Sequence, residues 1–376
     1  MRAGVPGVYR EDVPPSPSAA LRTGVPAFIA PALFGAPRAL AAASHLGPDL
    51  REQLRGTATL AAIAGYFAAG GGLCHVVACD PRMSGDALDQ SLAQVDELDE
   101  VDLVAAPDLA RGLTGAGWRQ EAVHRAERLL AAGERATRLT LLSAPAASDR
   151  FDLIDLRRHA EALARLPGAG GAALYHPWVA HDGAVVPPDG HVAGVIAATD
   201  ARVGVHKPPA NEVVRGLIDL DVVLATPDLE ALSDLPINCI RALPGRGIRV
   251  WGARTLAGEA ISVRRTILTI RRELATRFAA RAFEANDTWL WNRIARELGA
   301  YLHALFQRGV LRGSAPTDAY HVRCDEETNP PELRAAGIAC AEVAVAPATP
   351  REFITLRLQL GAQAHAASVD ETTARV

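Results

Sequence analysis

Residues 73–79 read LCHVVAC, an apolar run interrupted only by His75 and set between the glycines at 70–72 and Asp80. The run is too short for an ordinary helix and shows no polar alternation, the pattern of a strand buried on both faces. Working outward, VDLVAAP (101–107), RLTLLSAP (138–145) and AALYHPWV (172–179) repeat it. Helical spacing fills the gaps between them. Leu60, Ile63, Ala64 and Phe67 predict a helix over 57–69 that stops at the three glycines, and Val123, Leu129 and Leu130 predict another over 120–132. A third fits 156–166, before a glycine-rich break at 168–171. Strands and helices in alternation predict an α/β fold with a largely parallel sheet.

The flanks differ from this central pattern. Residues 1–20 are rich in proline, glycine and serine without helical period, and read as an extended arm. A short β-compatible run at Val25–Ile29 follows. Beyond the sheet pattern, PPDGHVAG (187–194) is turn sequence leading into a helix, and VHKPPANEVVRGL (205–217) is a proline-rich loop. The stretch 237–255 reads as two strands joined by the turn at Pro244–Gly247. Val263, Ile267, Ile270, Leu274 and Phe278 then mark one apolar stripe of a helix, with Arg264, Arg265, Arg271 and Arg272 beside it. A second helix starts at the N-cap Asp287, buries Leu290, Ile294, Leu298, Leu302 and Leu305, and ends at Gly309. Strands at 319–324, 340–347 and 353–360 follow, and the polar stretch 361–376 reads as a disordered tail. The composition change near residue 256 places a boundary there: an arm at 1–20, an α/β domain at 21–255, a C-terminal domain at 256–360 and the tail.

A chain of 376 residues is long enough for two domains. No apolar run approaches the roughly 18 residues of a membrane span, so no direct membrane insertion is expected. The first residues lack the basic start and apolar stretch of a signal peptide, which places synthesis and assembly in the cytoplasm. Five scattered cysteines do not make a disulfide framework. A net charge of −4 gives no overall footprint for nucleic acid. Lys207 is the only lysine, a bias toward arginine that reflects codon usage more simply than function.

The α/β pattern invites an enzyme reading, and the standard constellations test it. No GxxxxGK[ST], GxSxG, HExxH or CxxC occurs. Gly70–Gly72 precede a strand, the wrong order for a dinucleotide fingerprint. Cys74, His75, Cys79 and Asp80 come nearest to a metal set, but neighbouring strand residues point to opposite faces. His176, His181, His191 and His206 lie in one region and could converge; singly, each reads as solvated or hydrogen-bonded. Asp325, Glu326 and Glu327 read as a charged loop. Neither a cofactor nor a metal is expected.

Several segments resemble the contractile tail sheath proteins. PGVYREDVP (6–14), TGVPAFIA (23–30), GYFAAGGGLCHVVACD (65–80) and AALYHPWV (172–179) are similar to that family's opening arm and first elements. PPDGHVAGVIAATDARVGVHKPPANEVVRGL (187–217), INCIRALPGRGIRVWGARTL (237–256), FEANDTWLW (283–291) and YHVRCDEETNPPE (320–332) resemble its signatures, in its order. The resemblance implies an inner domain made of the N-terminal arm and the C-terminal third, with an outer α/β domain inserted between them. It implies a structural, non-enzymatic subunit that forms hexameric rings stacked helically around an inner tube, with baseplate and cap or terminator proteins as further partners. It also implies a phage tail or phage-tail-like particle, assembled in the bacterial cytoplasm and in some cases released, that works by contraction without nucleotide. Under this reading Arg264, Arg265, Arg271 and Arg272 are candidates for touching the tube. Val8, Tyr9, Phe353, Ile354, Leu356 and Leu358 are candidates for strand exchange between subunits. The segment between Leu256 and Val263 is shorter than the family's and the tail after Leu360 longer, which keeps a specialised baseplate-proximal paralogue as an alternative; an enzyme on the same fold is the remaining one.

Overall fold

The computed structural model describes residues 21–83, 85–112, 118–146, 153–349, 351–361 and 366–372. Its centre is an eight-stranded sheet. In chain order the strands are β1 (Pro26–Pro31), β2 (Arg38–Leu40), β3 (Cys74–Cys79), β4 (Leu103–Ala105), β5 (Leu139–Ser143), β6 (Ala172–His176), β7 (Val179–His181), β8 (Ala184–Val186), β9 (Asp219–Leu220), β10 (Ile237–Leu243) and β11 (Gly247–Trp251). The sheet runs β11-β10-β6-β5-β4-β1-β3-β2. Its six inner strands are parallel, and an antiparallel strand closes each edge. The three remaining strands, β7 to β9, form a small separate sheet.

Helices cover both faces, as the buried strand runs require. The Gly85–Asp96, Trp118–Arg135 and Leu153–Ala164 helices fill one core through Leu88, Leu92, Leu129, Leu130, Leu156 and Leu163. The Ala58–Ala68 and Asp189–Arg202 helices fill the other through Ile63, Tyr66, Val192 and Ile196. Cys74 belongs to the second core and Cys79 to the first, as strand alternation dictates.

The Ile261–Phe278 helix leaves this α/β unit and enters a second, C-terminal one. There it packs with the Thr288–Gln307 helix against an antiparallel sheet of β12 (Tyr320–Arg323), β13 (Ala339–Val345), β14 (Ile354–Gly361) and β15 (Ala366–Thr372). The Asp287 carboxylate caps the second helix by accepting from Leu290 N at 2.9 Å. At its other end Gly309, with φ of 72°, lets its own N–H reach Phe306 O and that of Val310 reach Leu305 O.

Two sequence expectations need correction. Residues 366–372, expected to be part of a disordered tail, form β15, paired with β14 from Thr355↔Thr372 to Gly361↔Ala366. Strand 172–179 is two strands: β6 ends at His176, and β7, from Val179, joins the small sheet. Among the described residues no helix is long and apolar enough to cross a membrane.

Candidate functional site at the joint between the two units

The joint is organised by a buried arginine. Arg265, in the second turn of the Ile261–Phe278 helix, is only 3% exposed. Its guanidinium donates to both carboxylate oxygens of Asp200 at 2.7 and 2.6 Å, and to Asp102 Oδ2 at 2.8 Å. Burial works against the charge, but the carboxylates of Asp200 and then Asp102 outweigh it and hold the arginine pKa above its ordinary value. Asp102, at the start of β4, also accepts from Gly24 N at 3.0 Å and Val25 N at 2.7 Å. One ion cluster therefore ties the chain entering β1, the start of β4, the last turn of the Asp189–Arg202 helix and the helix of the second unit.

Further along the same helix, Arg272 Nη2 donates to Asp99 O at 2.9 Å, and Glu273 Oε1 accepts from Leu21 N at 2.7 Å. The covalent crossing is braced as well. Asn238 on β10 donates to Leu174 O and Arg254 O and accepts from Arg254 N, and Leu256 N donates to Ala172 O. Gly252 leaves room for this clasp, since a Cβ there would stand 2.9 Å from Asn238 Oδ1.

The four arginines read as tube-contact candidates divide between two places within the single chain. Arg265 and Arg272 are buried and turned into the joint, because the helix presents that side to the acidic residues of the α/β unit. Arg264 pairs with Glu371, and Arg271 Nε donates to Val369 O at 2.8 Å, so both hold β15. The strand-exchange candidates separate too. Leu356 and Leu358 are buried in the C-terminal core, and β14, with Ile354, is paired on both sides by β13 and β15. Within the single chain β14 is therefore an interior strand of its sheet. Phe353 precedes β14 with its ring 4.8 Å from that of His321. Val8 and Tyr9 lie outside the described residues.

The joint residues Asp102, Asp200 and Asn238 were not singled out from sequence, although Asp102 and Asn238 are polar residues among buried apolar ones. The glycine motif also finds its reason here. The Tyr66 hydroxyl donates its proton to Leu73 O at 2.6 Å, with Gly24 O also within 3.0 Å, and accepts from the Gly72 and Leu73 N–H groups, and a Cβ on Gly71 would lie 2.3 Å from its ring.

The opposite, carboxyl edge of the parallel sheet is where doubly wound folds bind ligands. Here Asp108 occupies the N-terminus of the Ala58–Ala68 helix, accepting from Ala58 N, Thr59 N and Thr59 Oγ1 at 2.7, 3.0 and 2.8 Å. The chain thus supplies its own anion where a phosphate would sit. Nearby, the Ser143 hydroxyl donates to Asp189 Oδ1 at 2.6 Å, and burial pushes the Asp189 carboxyl up to about 7. His181 Nδ1 lies 3.1 Å from Gly216 O and 3.2 Å from His191 Nε2; the carbonyl requires that this nitrogen carry the proton. His176 and His191 are buried, and burial pushes both down to about 3. Among the described residues no three His, Cys, Asp or Glu are placed to hold a metal. Asp325 turns back on its own loop, accepting from Glu327 N and Thr328 N, while Asn329 fastens that loop to both backbone groups of Cys340.

The comparisons with known proteins agree with this anatomy. The family described as phage tail sheath protein central domain matches residues 167–256, the stretch from β6 through the Asn238 clasp. No curated protein matches the sequence. Among solved structures, a chain of the anti-feeding prophage baseplate is 27% identical, with a TM-score of 0.71 over 94% of this chain and 98% of that one. The anti-feeding prophage helical sheath in its contracted state is 26% identical, again with a TM-score of 0.71 over 94% and 98%. The sheath tail protein of Desulfitobacterium hafniense shares the fold at 12% identity, with a TM-score of 0.61 over 94% and 100%. Residues 167–256 thus match the central domain of phage tail sheath proteins, and the fold is similar to that of contractile sheath chains along nearly the whole length.

Proposed function

We propose that the chain is the repeating subunit of a contractile sheath, stacked as hexameric rings around an inner tube and driving that tube by contraction. The observation that carries this reading is the near-complete correspondence with a contracted helical sheath. The α/β unit is then the outer domain, and the C-terminal unit, with the arm of residues 1–20, the inner one. The C-terminal sheet ends on β12 and β15, so a strand from a neighbouring copy, with Val8 and Tyr9 foremost, adds at one of these edges. Such addition is head-to-tail, and head-to-tail contacts that do not close produce a helix. The work comes from the energy difference between an extended and a contracted lattice. Asp108 in the phosphate position suits a chain that uses no nucleotide. Assembly takes place in the bacterial cytoplasm, within a phage tail or tail-like particle that also contains baseplate and cap proteins.

A second reading, a specialised subunit next to the baseplate, draws support from the baseplate chain among the similar structures. Labelling the protein in intact particles separates the two, since the main subunit lies along the whole length and the paralogue at one end. The assembly itself is tested by sedimentation of the full chain and of a form lacking residues 1–20. The full chain is expected to sediment as large polymers and the shortened one as small species; a full chain that stays monomeric at all concentrations contradicts the proposal.

A further inference from the structure

We infer that the Asp102–Arg265–Asp200 cluster is a mechanical coupling that makes the two units one lever, so that displacement of the C-terminal sheet is carried into the α/β unit without a hinge. The Ile261–Phe278 helix is shared between them: Ile261 and Leu268 lie in the core of the α/β unit, and Ile270, Leu274 and Phe278 in that of the C-terminal unit. Eighteen residues make a strut of about 27 Å. On one side of it Arg264 and Arg271 hold β15, the outermost strand of the C-terminal sheet. On the other side Arg265, Arg272 and Glu273 hold Asp102, Asp200, Asp99 and Leu21.

Apolar packing alone would join the units but would not fix their angle, because it has no direction. The guanidinium fork does. Its two-point bond to Asp200 and third bond to Asp102 are satisfied in one orientation of the helix. Rotation or sliding of the strut would leave two buried carboxylates without their cation, the state that burial penalises most. Asp102 spreads the constraint, since the same carboxylate holds the Gly24 and Val25 amides at the entry to β1, a central strand of the large sheet. The clasp of Asn238 on Arg254 removes slack from the covalent crossing. The use of this lever in contraction rests on the sheath reading; the coupling itself is a property of the single subunit.

The test is a urea titration of the full chain read by hydrogen-exchange mass spectrometry, following β5 for the α/β unit and β13 for the C-terminal unit. Wild type is expected to lose protection in both at one urea concentration. Arg265→Met, which keeps length and loses the fork, is expected to separate the two midpoints by about 1 M or more. Arg265→Lys keeps the charge but cannot form the fork, and it serves should the methionine variant fail to fold; it too is expected to separate them. Coincident midpoints in the lysine variant, or separate midpoints already in wild type, overturn the coupling. Neither result depends on whether the chain builds a sheath.

Discussion

Gly190 and Gly194 face the Ala58–Ala68 helix at a close crossing in the α/β unit, and the same substitution there and elsewhere should have opposite signs. A Cβ at Gly190 would lie 2.0 Å from Ala62 O, and one at Gly194 would lie 2.4 Å from Tyr66 O. Backbone cannot yield as a flexible side chain can, so Gly190→Ala must push the helices apart by roughly 1 Å, enough to forfeit a quarter to a half of each dispersion contact across the crossing. Overpacking of this kind costs about 1–3 kcal/mol, and the better helix propensity of alanine returns about 1 at most. A net loss of about 1–2 kcal/mol is expected, because Ile63, Tyr66 and Val192 share the core at this crossing. Gly299 supplies the control. It lies within the Thr288–Gln307 helix with nothing within 4 Å of its Cβ position, so Gly299→Ala should stabilise by about 0.5–1 kcal/mol. Urea unfolding of the two variants, read by circular dichroism, measures both. A Gly190→Ala protein as stable as wild type would refute the reasoning from close approach.

Acid should destabilise the subunit below pH 6.5. Burial lowers His176 and His191 to about 3 and, with help from Arg119, His159 to about 4, whereas the unfolded chain protonates all three near 6.5. The unfolded state therefore binds three more protons as pH falls. Asp189, raised by burial to about 7, favours the folded state by one over the same range, and the net of two gives a loss of about 2–3 kcal/mol per pH unit between 6 and 5. A melting temperature at pH 5 equal to that at pH 6.5 would contradict this. Asn238→Ala should cost about 1–3 kcal/mol, since it leaves the buried Leu174 O and the half-buried Arg254 N and O without their side-chain partner, and calorimetry of the purified variant measures the loss. Arg264→Glu places like charge against Glu371 and should raise hydrogen exchange in β15 while leaving β13 protected; unchanged exchange in β15 would show that the pair does not hold the strand.

The sheet was legible in the sequence because a parallel strand buried on both faces needs a largely apolar run without polar alternation, and 73–79, 101–107 and 138–145 have one. The two long C-terminal helices were legible from their stripes, and Asp287 and Gly309 from the chemistry of helix ends. β15 was not. Its sequence, AASVDET, is polar enough to read as a tail, and what orders it is pairing with β14 and the arginines of a helix about a hundred residues earlier. The joint was hidden for the same reason. An arginine beside an apolar stripe looks solvated until the fold brings Asp102 and Asp200 to it from 163 and 65 residues away. Asp200 occupies the last turn of a helix where an acidic residue is unremarked, and Asp102 opens a run whose apolar residues draw the eye. Long-range polar pairing leaves no periodicity, so it was the part of the site that only the structure could supply.

Negative-stain electron microscopy of the purified chain, alone and co-expressed with its tube protein, tests the central claim most directly. Hollow, ridged cylinders with six-fold symmetry are the expected result, whereas uniform small particles under both conditions would contradict the assignment of this chain as a sheath subunit.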